Sequence, residues 1–194
     1  MIGIVLCGGQ SSRMGSDKGL LPADDSTWAQ AAVNKLAALE IPVSLSVNEL
    51  QYNNYAIAFP GTEIITDNDS LVLHGPLLGV LSAHLQHPLQ NLFVLACDMP
   101  LMETSVLSNL YNHYLQTDAY DAFVFTNEEE PEPLCGIYCA TGLATILDMY
   151  KTHALTRHSM KFMLEHLNTC HIAITDEQKK YFKNVNAHAD LNGE

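Results

Sequence analysis

The chain has 194 residues, 47% of them hydrophobic, which suffices for one substantial core and predicts a single domain over 1–194. Its formal net charge is −13 with only nine lysines and arginines, and none lies between Lys35 and Lys151; a nucleic-acid groove, which needs clustered cations, is therefore not expected. The longest apolar runs, such as IGIVLC and LFVLAC, fall well short of the roughly 20 residues of a membrane helix.

In chain order, IGIVLC (2–7) has the length and composition of a buried strand. It runs without a charged leader or cleavage site before it, which predicts a cytoplasmic protein. After a glycine-rich loop, Trp28, Ala32, Leu36 and Leu39 recur at helical spacing until Pro42 closes the segment. Strands are expected at 43–48 and 63–67, the latter ending in an Asp-rich loop. The stretch HGPLLGVLSAHLQ then opens a helix with Pro76 in its first turn, where the missing N–H costs nothing. LFVLACD (92–98) is apolar on both faces, as a central parallel strand should be. A helix over about 103–116, strands at 121–125 and 134–139, helices near 141–151 and 157–167, a strand at CHIAIT and a short helix after Asn186 complete the pattern. Strands alternating with helices predict an α/β fold with a mainly parallel sheet. Ligands of such sheets sit beyond the carboxyl ends of the strands, which singles out the loops after Cys7, Ile65 and Cys97.

The first of these loops reads LCGGQSSRMGSDKGLLP. Gly8 and Gly9 let the backbone turn sharply and approach a ligand closely, Ser11 and Ser12 add donors, and Arg13 and Lys18 bring two of the scarce cations. The set suits a phosphate cradle, although it is neither a Walker A loop nor a GxGxxG fingerprint. An ordinary glycine-rich turn with solvated charges has the same composition. The loop after the central strand carries Asp98 in CDMP. An unpaired carboxylate there is costly to desolvate, whereas Mg²⁺ favours one or two carboxylates with substrate phosphates as its remaining ligands; a turn-forming or capping Asp is the alternative.

Together with TD at 66–67, GPLLG at 75–79, PLCGIY at 133–138, RHSMKFM at 157–163 and NVNAHADL at 184–191, these two loops resemble the ordered motifs of the molybdenum cofactor guanylyltransferases over nearly the whole chain. The resemblance implies a Rossmann-like three-layer sandwich with a mainly parallel, mixed sheet, like that of the nucleotide-diphospho-sugar transferases. It also implies transfer of GMP from GTP to the terminal phosphate of molybdopterin, with Mg²⁺ and release of pyrophosphate, and a molybdenum-inserting protein as a partner. Carried over residue by residue, Leu6, Gly8 and Gly9 would contact the nucleotide and Asp67 its base or ribose. Arg13 and Lys18 would hold the phosphates, Asp98 the metal, and Arg157, Asn184 and Asn186 the acceptor side. Cys7 stands where the family usually has alanine.

Two other readings stay open: a CTP-dependent enzyme of the same fold acting on the molybdenum cofactor or on a sugar or alcohol phosphate, and a noncatalytic nucleotide-binding module. The GG of LCGG resembles the guanylyl branch, and Lys18 retained with Asp98 speaks for turnover. His74, His84 and His87 are read as structural or solvated, Tyr111 and Tyr114 as one helix face, and Glu128 to Glu130 as a solvated loop. The five cysteines, an odd count without a CxxC, are read mostly as buried thiols.

Overall fold

Ile2, Ile4 and Leu6 point to one face of their strand and Val5 and Cys7 to the other, and all five are buried. A strand apolar on both sides needs cover on both sides. The computed structural model describes residues 1–8, 17–23 and 26–183. In chain order the elements are β1 (Ile2–Leu6), the short strands β2 (Pro22–Ala23) and β3 (Ser26–Thr27), α1 (Trp28–Ala37), β4 (Val43–Val47), α2 (Tyr52–Ala58), β5 (Glu63–Thr66), α3 (Pro76–Gln86), β6 (Leu92–Ala96), α4 (Thr104–Gln116), β7 (Ala122–Asn127), β8 (Glu130–Tyr138), α5 (Ala140–Lys151), α6 (Met160–Leu164) and β9 (Thr169–Ala173). Turns of 3-10 helix cover Lys18–Leu20, Glu49–Gln51 and Lys179–Phe182.

Among the described residues, seven strands form one sheet in the order β5-β4-β1-β6-β8-β7-β9. β1 lies between parallel neighbours, with Ile4 opposite Ser44 of β4 and Val94 of β6, while β8 runs antiparallel to both β6 and β7. Helices α3, α5 and α6 pack their apolar residues on one face, and α1, α2 and α4 on the other, each face closing over its own hydrophobic cluster. This is the three-layer α/β sandwich with a mixed sheet. Among the described residues no helix is long and apolar enough to cross a membrane.

Local chemistry accounts for the element ends. Thr27 caps α1 by accepting from the Gln30 N–H at 3.2 Å, and Gly75, at φ 69°, turns the chain into α3 ahead of Pro76. The predicted helix over 157–167 contracts to α6 because Ser159 accepts from the Phe162 N–H and fixes the start at Met160. Helix α2 was not expected. Its only apolar signature is Tyr55 with Phe59 four residues on, both buried, too short a pattern to stand out.

The acidic stretch read as a loop is instead a hairpin. Asn127 pairs with Glu130, and the two residues between them, Glu128 and Glu129, both have positive φ, as the type I′ hairpin turn requires. Strand β8 therefore begins four residues earlier than its apolar run suggests. The predicted helix after Asn186 lies outside the described residues. All five cysteines are free, Cys7, Cys97 and Cys135 being buried.

Candidate functional site

The chain moves outward from β1 through β4 to β5, then α3 carries it back across the sheet to β6 on the other side of β1. Strand order thus reverses at β1, and the crevice beyond the carboxyl ends at such a point is where open α/β sheets bind ligands. A cavity of about 680 Å³ opens there, lined among others by Leu6, Gly8, Asn48, Asp67, His74 and Gly79. That volume suits a small organic ligand such as a nucleoside.

Each wall has a local cause. The N–H groups of Cys7 and Gly8 both donate to the Ser46 carbonyl, at 2.8 and 3.1 Å, so the chain leaving β1 stays zipped to β4. The Gly8 N–H is therefore already taken by the Ser46 carbonyl. Gly79 lets α3 lie close over the strand ends, for a Cβ there would stand 2.6 Å from the Ser46 hydroxyl and 3.3 Å from Leu6 Cδ2. Asp67 is held by its N–H to the Val47 carbonyl at 3.0 Å. Burial pushes its carboxyl above the usual range, and the charge of Asp69 adds to the shift.

That shift carries a sign. A carboxyl raised in the folded state binds more protons than in the unfolded chain, so its contribution to stability falls as pH rises from the unfolded carboxylate range through the raised folded value. Asp67→Asn is expected to raise the melting temperature of the ligand-free protein at pH 7, the gain fading once the pH drops below the unfolded range. A thermal melt series over pH checks this, and an unchanged or lower melting temperature at pH 7 would contradict it.

On the other side of the β1 exit, Lys18 Nζ lies 3.5 Å from Asp98 Oδ2, each side chain about one-fifth exposed. Eighty positions of sequence separate them; the β1–β6 pairing, extended by the Cys97 N–H to the Leu6 carbonyl at 3.1 Å, brings them together. Lys35, half-buried on α1, donates to the Pro100 carbonyl at 2.8 Å and ties down the loop that carries Asp98. Asp98 Oδ1 is buried and accepts no hydrogen bond among the described residues. A carboxylate oxygen in that position fits a hard cation; among the described residues there is no cluster of three or more His, Cys, Asp or Glu ligands.

Arg157 is exposed, its guanidinium 5.7 Å from the Phe162 ring centroid. Its neighbour His158 has its ring 6.5 Å from that of His74 at the cavity lip, so this segment lies beside the site. The Tyr150 hydroxyl, accepting from the Val72 N–H at 2.7 Å, pins the lip to α5. Gly9, Arg13, Asn184 and Asn186 lie outside the described residues. His84 is buried in α3 and His87 lies 3.1 Å from Glu63, neither lining the cavity. Tyr111 and Tyr114 stack on one another at 6.0 Å over Phe93 and Phe123. Sequence reasoning missed Asn48 and His74 as cavity residues. Asn48 could have been found, since it closes the strand VSLSVN at a carboxyl end; His74 was visible only as a surface histidine.

A sheet that reverses over a nucleoside-sized cavity, with a lysine–carboxylate pair beside it, is an arrangement suited to holding a nucleotide. Comparison with known proteins agrees. The "Probable molybdenum cofactor guanylyltransferase" of Methanothermobacter thermautotrophicus is 31% identical over 192 residues, covering 96% of this chain and 95% of its own. The molybdopterin-guanine dinucleotide biosynthesis protein A of Archaeoglobus fulgidus shares the fold at a TM-score of 0.78 and 21% identity, over 99% of this chain and 95% of that one. Rv0371c of Mycobacterium tuberculosis, solved in complex with manganese, shares it at 0.58 and 15% over 89% and 87%. The chain belongs to the MobA-like NTP transferase domain family, which it matches over residues 3–170.

Proposed function

We propose that this protein is a molybdenum cofactor guanylyltransferase, a single nucleotidyltransferase domain working in the cytoplasm. It would join the GMP moiety of GTP to the terminal phosphate of molybdopterin and release pyrophosphate. The observation that carries the reading is the Lys18–Asp98 pair, 3.5 Å apart at the exits of β1 and β6, beside the nucleoside-sized cavity.

In this reading the cavity takes the guanosine. Leu6 and Gly8 line it, Gly9 would join them in contacting the nucleotide, and the Asp67 carboxylate would accept from the base or from the ribose hydroxyls. Lys18 and Arg13 would hold the phosphates, and Arg157, Asn184 and Asn186 would serve the acceptor. The acceptor phosphate is already an anion at neutral pH, so no general base is needed; the obstacle is the approach of two anions. Catalysis of this kind is chiefly positioning and charge stabilisation. Lys18 offsets that repulsion and the charge that develops on the departing pyrophosphate. Asp98 would hold Mg²⁺ through Oδ1, and the ion would supply further positive charge at the phosphates. A molybdenum-inserting protein is the partner expected to share the pterin substrate.

Thermal stabilisation by GTP, CTP, ATP and UTP, each with Mg²⁺, tests the reading in wild type and in Lys18→Ala. A ligand at about 100 times its dissociation constant adds about 2.7 kcal/mol of stability. GTP alone is expected to give the shift, Lys18→Ala to weaken it, and the variant to lose at least about tenfold in turnover, roughly 1.4 kcal/mol of barrier. A shift with CTP instead would move the assignment to a cytidylyltransferase, and binding without any pyrophosphate release would leave a noncatalytic module.

A further inference from the structure

Lys18 stands in a 3-10 turn of only three residues, Lys18–Leu20, and the turn is held from outside by Asp17. Asp17 Oδ1 accepts from the Gly19 N–H at 3.0 Å and from the Tyr55 hydroxyl at 2.9 Å, while Oδ2 accepts from Gln51 Nε2 at 2.6 Å. The same Gln51 amide donates to the Cys7 carbonyl at 3.1 Å. Its Oε1 accepts from the Asn48 N–H at 3.0 Å, and its own N–H donates to Asn48 Oδ1 at 3.1 Å. One side chain thereby joins the exit of β1, the exit of β4 and the turn that bears Lys18.

Tyr55 is wholly buried, stacked on Phe59 with ring centroids 5.6 Å apart, and burial keeps its phenol protonated, so it acts only as a donor towards Asp17. The backbone of Gly19 lies so near that hydroxyl that any Cβ would collide with it. A carboxylate taken partly out of water is stable only when its oxygens are well satisfied, and Asp17 has three donors, one from its own turn and two from the continuous segment that carries Gln51 and Tyr55. Asp17, Gln51 and Tyr55 are absent from the cavity wall. Asp17 and Tyr55 touch the turn directly, and Gln51 reaches it through Asp17.

We infer that Asp17, Gln51 and Tyr55 form a clamp that sets Lys18 opposite Asp98 for a nucleoside triphosphate, making Gln51 and Tyr55 positioning residues. The inference rests on the assignment of Lys18 to the phosphates. A lysine has a flexible four-carbon stem, and fixing the backbone beneath it reduces the freedom that binding must remove.

Two ligands separate positioning from plain stability: GTP with Mg²⁺, which has phosphates for Lys18, and guanosine, which has none. Their affinities are measured by calorimetry in wild type, Lys18→Ala, Tyr55→Phe and the double variant, with Gln51→Ala as a second lesion of the clamp. Tyr55→Phe keeps the ring and removes only the hydroxyl. It is expected to weaken GTP about tenfold while guanosine changes by less than about twofold, and the double variant is expected to bind GTP no more weakly than Lys18→Ala alone, since coupled groups are not additive. Equal losses for both ligands, or additive losses in the double variant, would overturn the clamp. If Lys18→Ala weakens GTP and neither clamp variant does, the clamp alone fails; if Lys18→Ala has no effect, or wild type binds no GTP, the assignment of Lys18 fails and takes the clamp with it.

Discussion

Asp98→Asn is expected to lower turnover by about 10³-fold, near 4 kcal/mol of barrier, with little change in the folded protein. The side chain stands at the exit of β6 on a loop anchored independently by the Cys97 N–H on Leu6 and by Lys35 on the Pro100 carbonyl. An amide of the same shape fits that loop. What disappears is the negative charge that faces Lys18 at 3.5 Å and the buried Oδ1 that has no hydrogen-bond donor among the described residues. An oxygen kept buried without a donor works against folding, a cost that the proposed metal-holding role of Asp98 would account for. Pyrophosphate release over a Mg²⁺ titration, beside a thermal melt, checks both halves. Turnover close to wild type would remove Asp98 from the chemistry, and a collapsed melting temperature would assign it a structural role instead.

Gly79→Val is expected to destabilise the fold by about 1–3 kcal/mol, the usual range for overpacking a close helix–sheet contact. The first added carbon would already lie 2.6 Å from the Ser46 hydroxyl and 3.3 Å from Leu6, and both neighbours are buried on strands that pair on both sides. Both side chains are buried beneath α3, so the added bulk is expected to lift the helix. Lifting it would also displace Gly75 and Pro76 at the lip of the cavity, and GTP affinity should fall together with stability. Urea unfolding and nucleotide calorimetry measure the two effects. Unchanged stability would mean that α3 has slack the contact does not suggest.

The clearest signals in the chain were those carried by neighbouring residues. The runs IGIVLC and LFVLAC marked two central strands because a strand covered on both faces is apolar at every position. Pro76 and the periodic leucines marked α3, and the glycines after β1 and the aspartate closing LFVLACD marked the two strand exits beside the candidate site. The family resemblance rested on the same short motifs.

By itself, then, the sequence determined the alternation of strands and helices, the parallel character of the sheet and the identity of Lys18, Asp67 and Asp98 as candidates. Only the tertiary structure decided which strands lie side by side, that β8 runs antiparallel behind a turn at Glu128 and Glu129, and that Asn48 and His74 face the cavity. It alone joined Asp17 to Gln51 and Tyr55, 34 and 38 residues away. The physical reason is range: periodicity and turn chemistry act over a few residues, whereas strand order, cavity walls and the clamp arise from hydrogen bonds and contacts between distant segments, which leave no local pattern in any one of them.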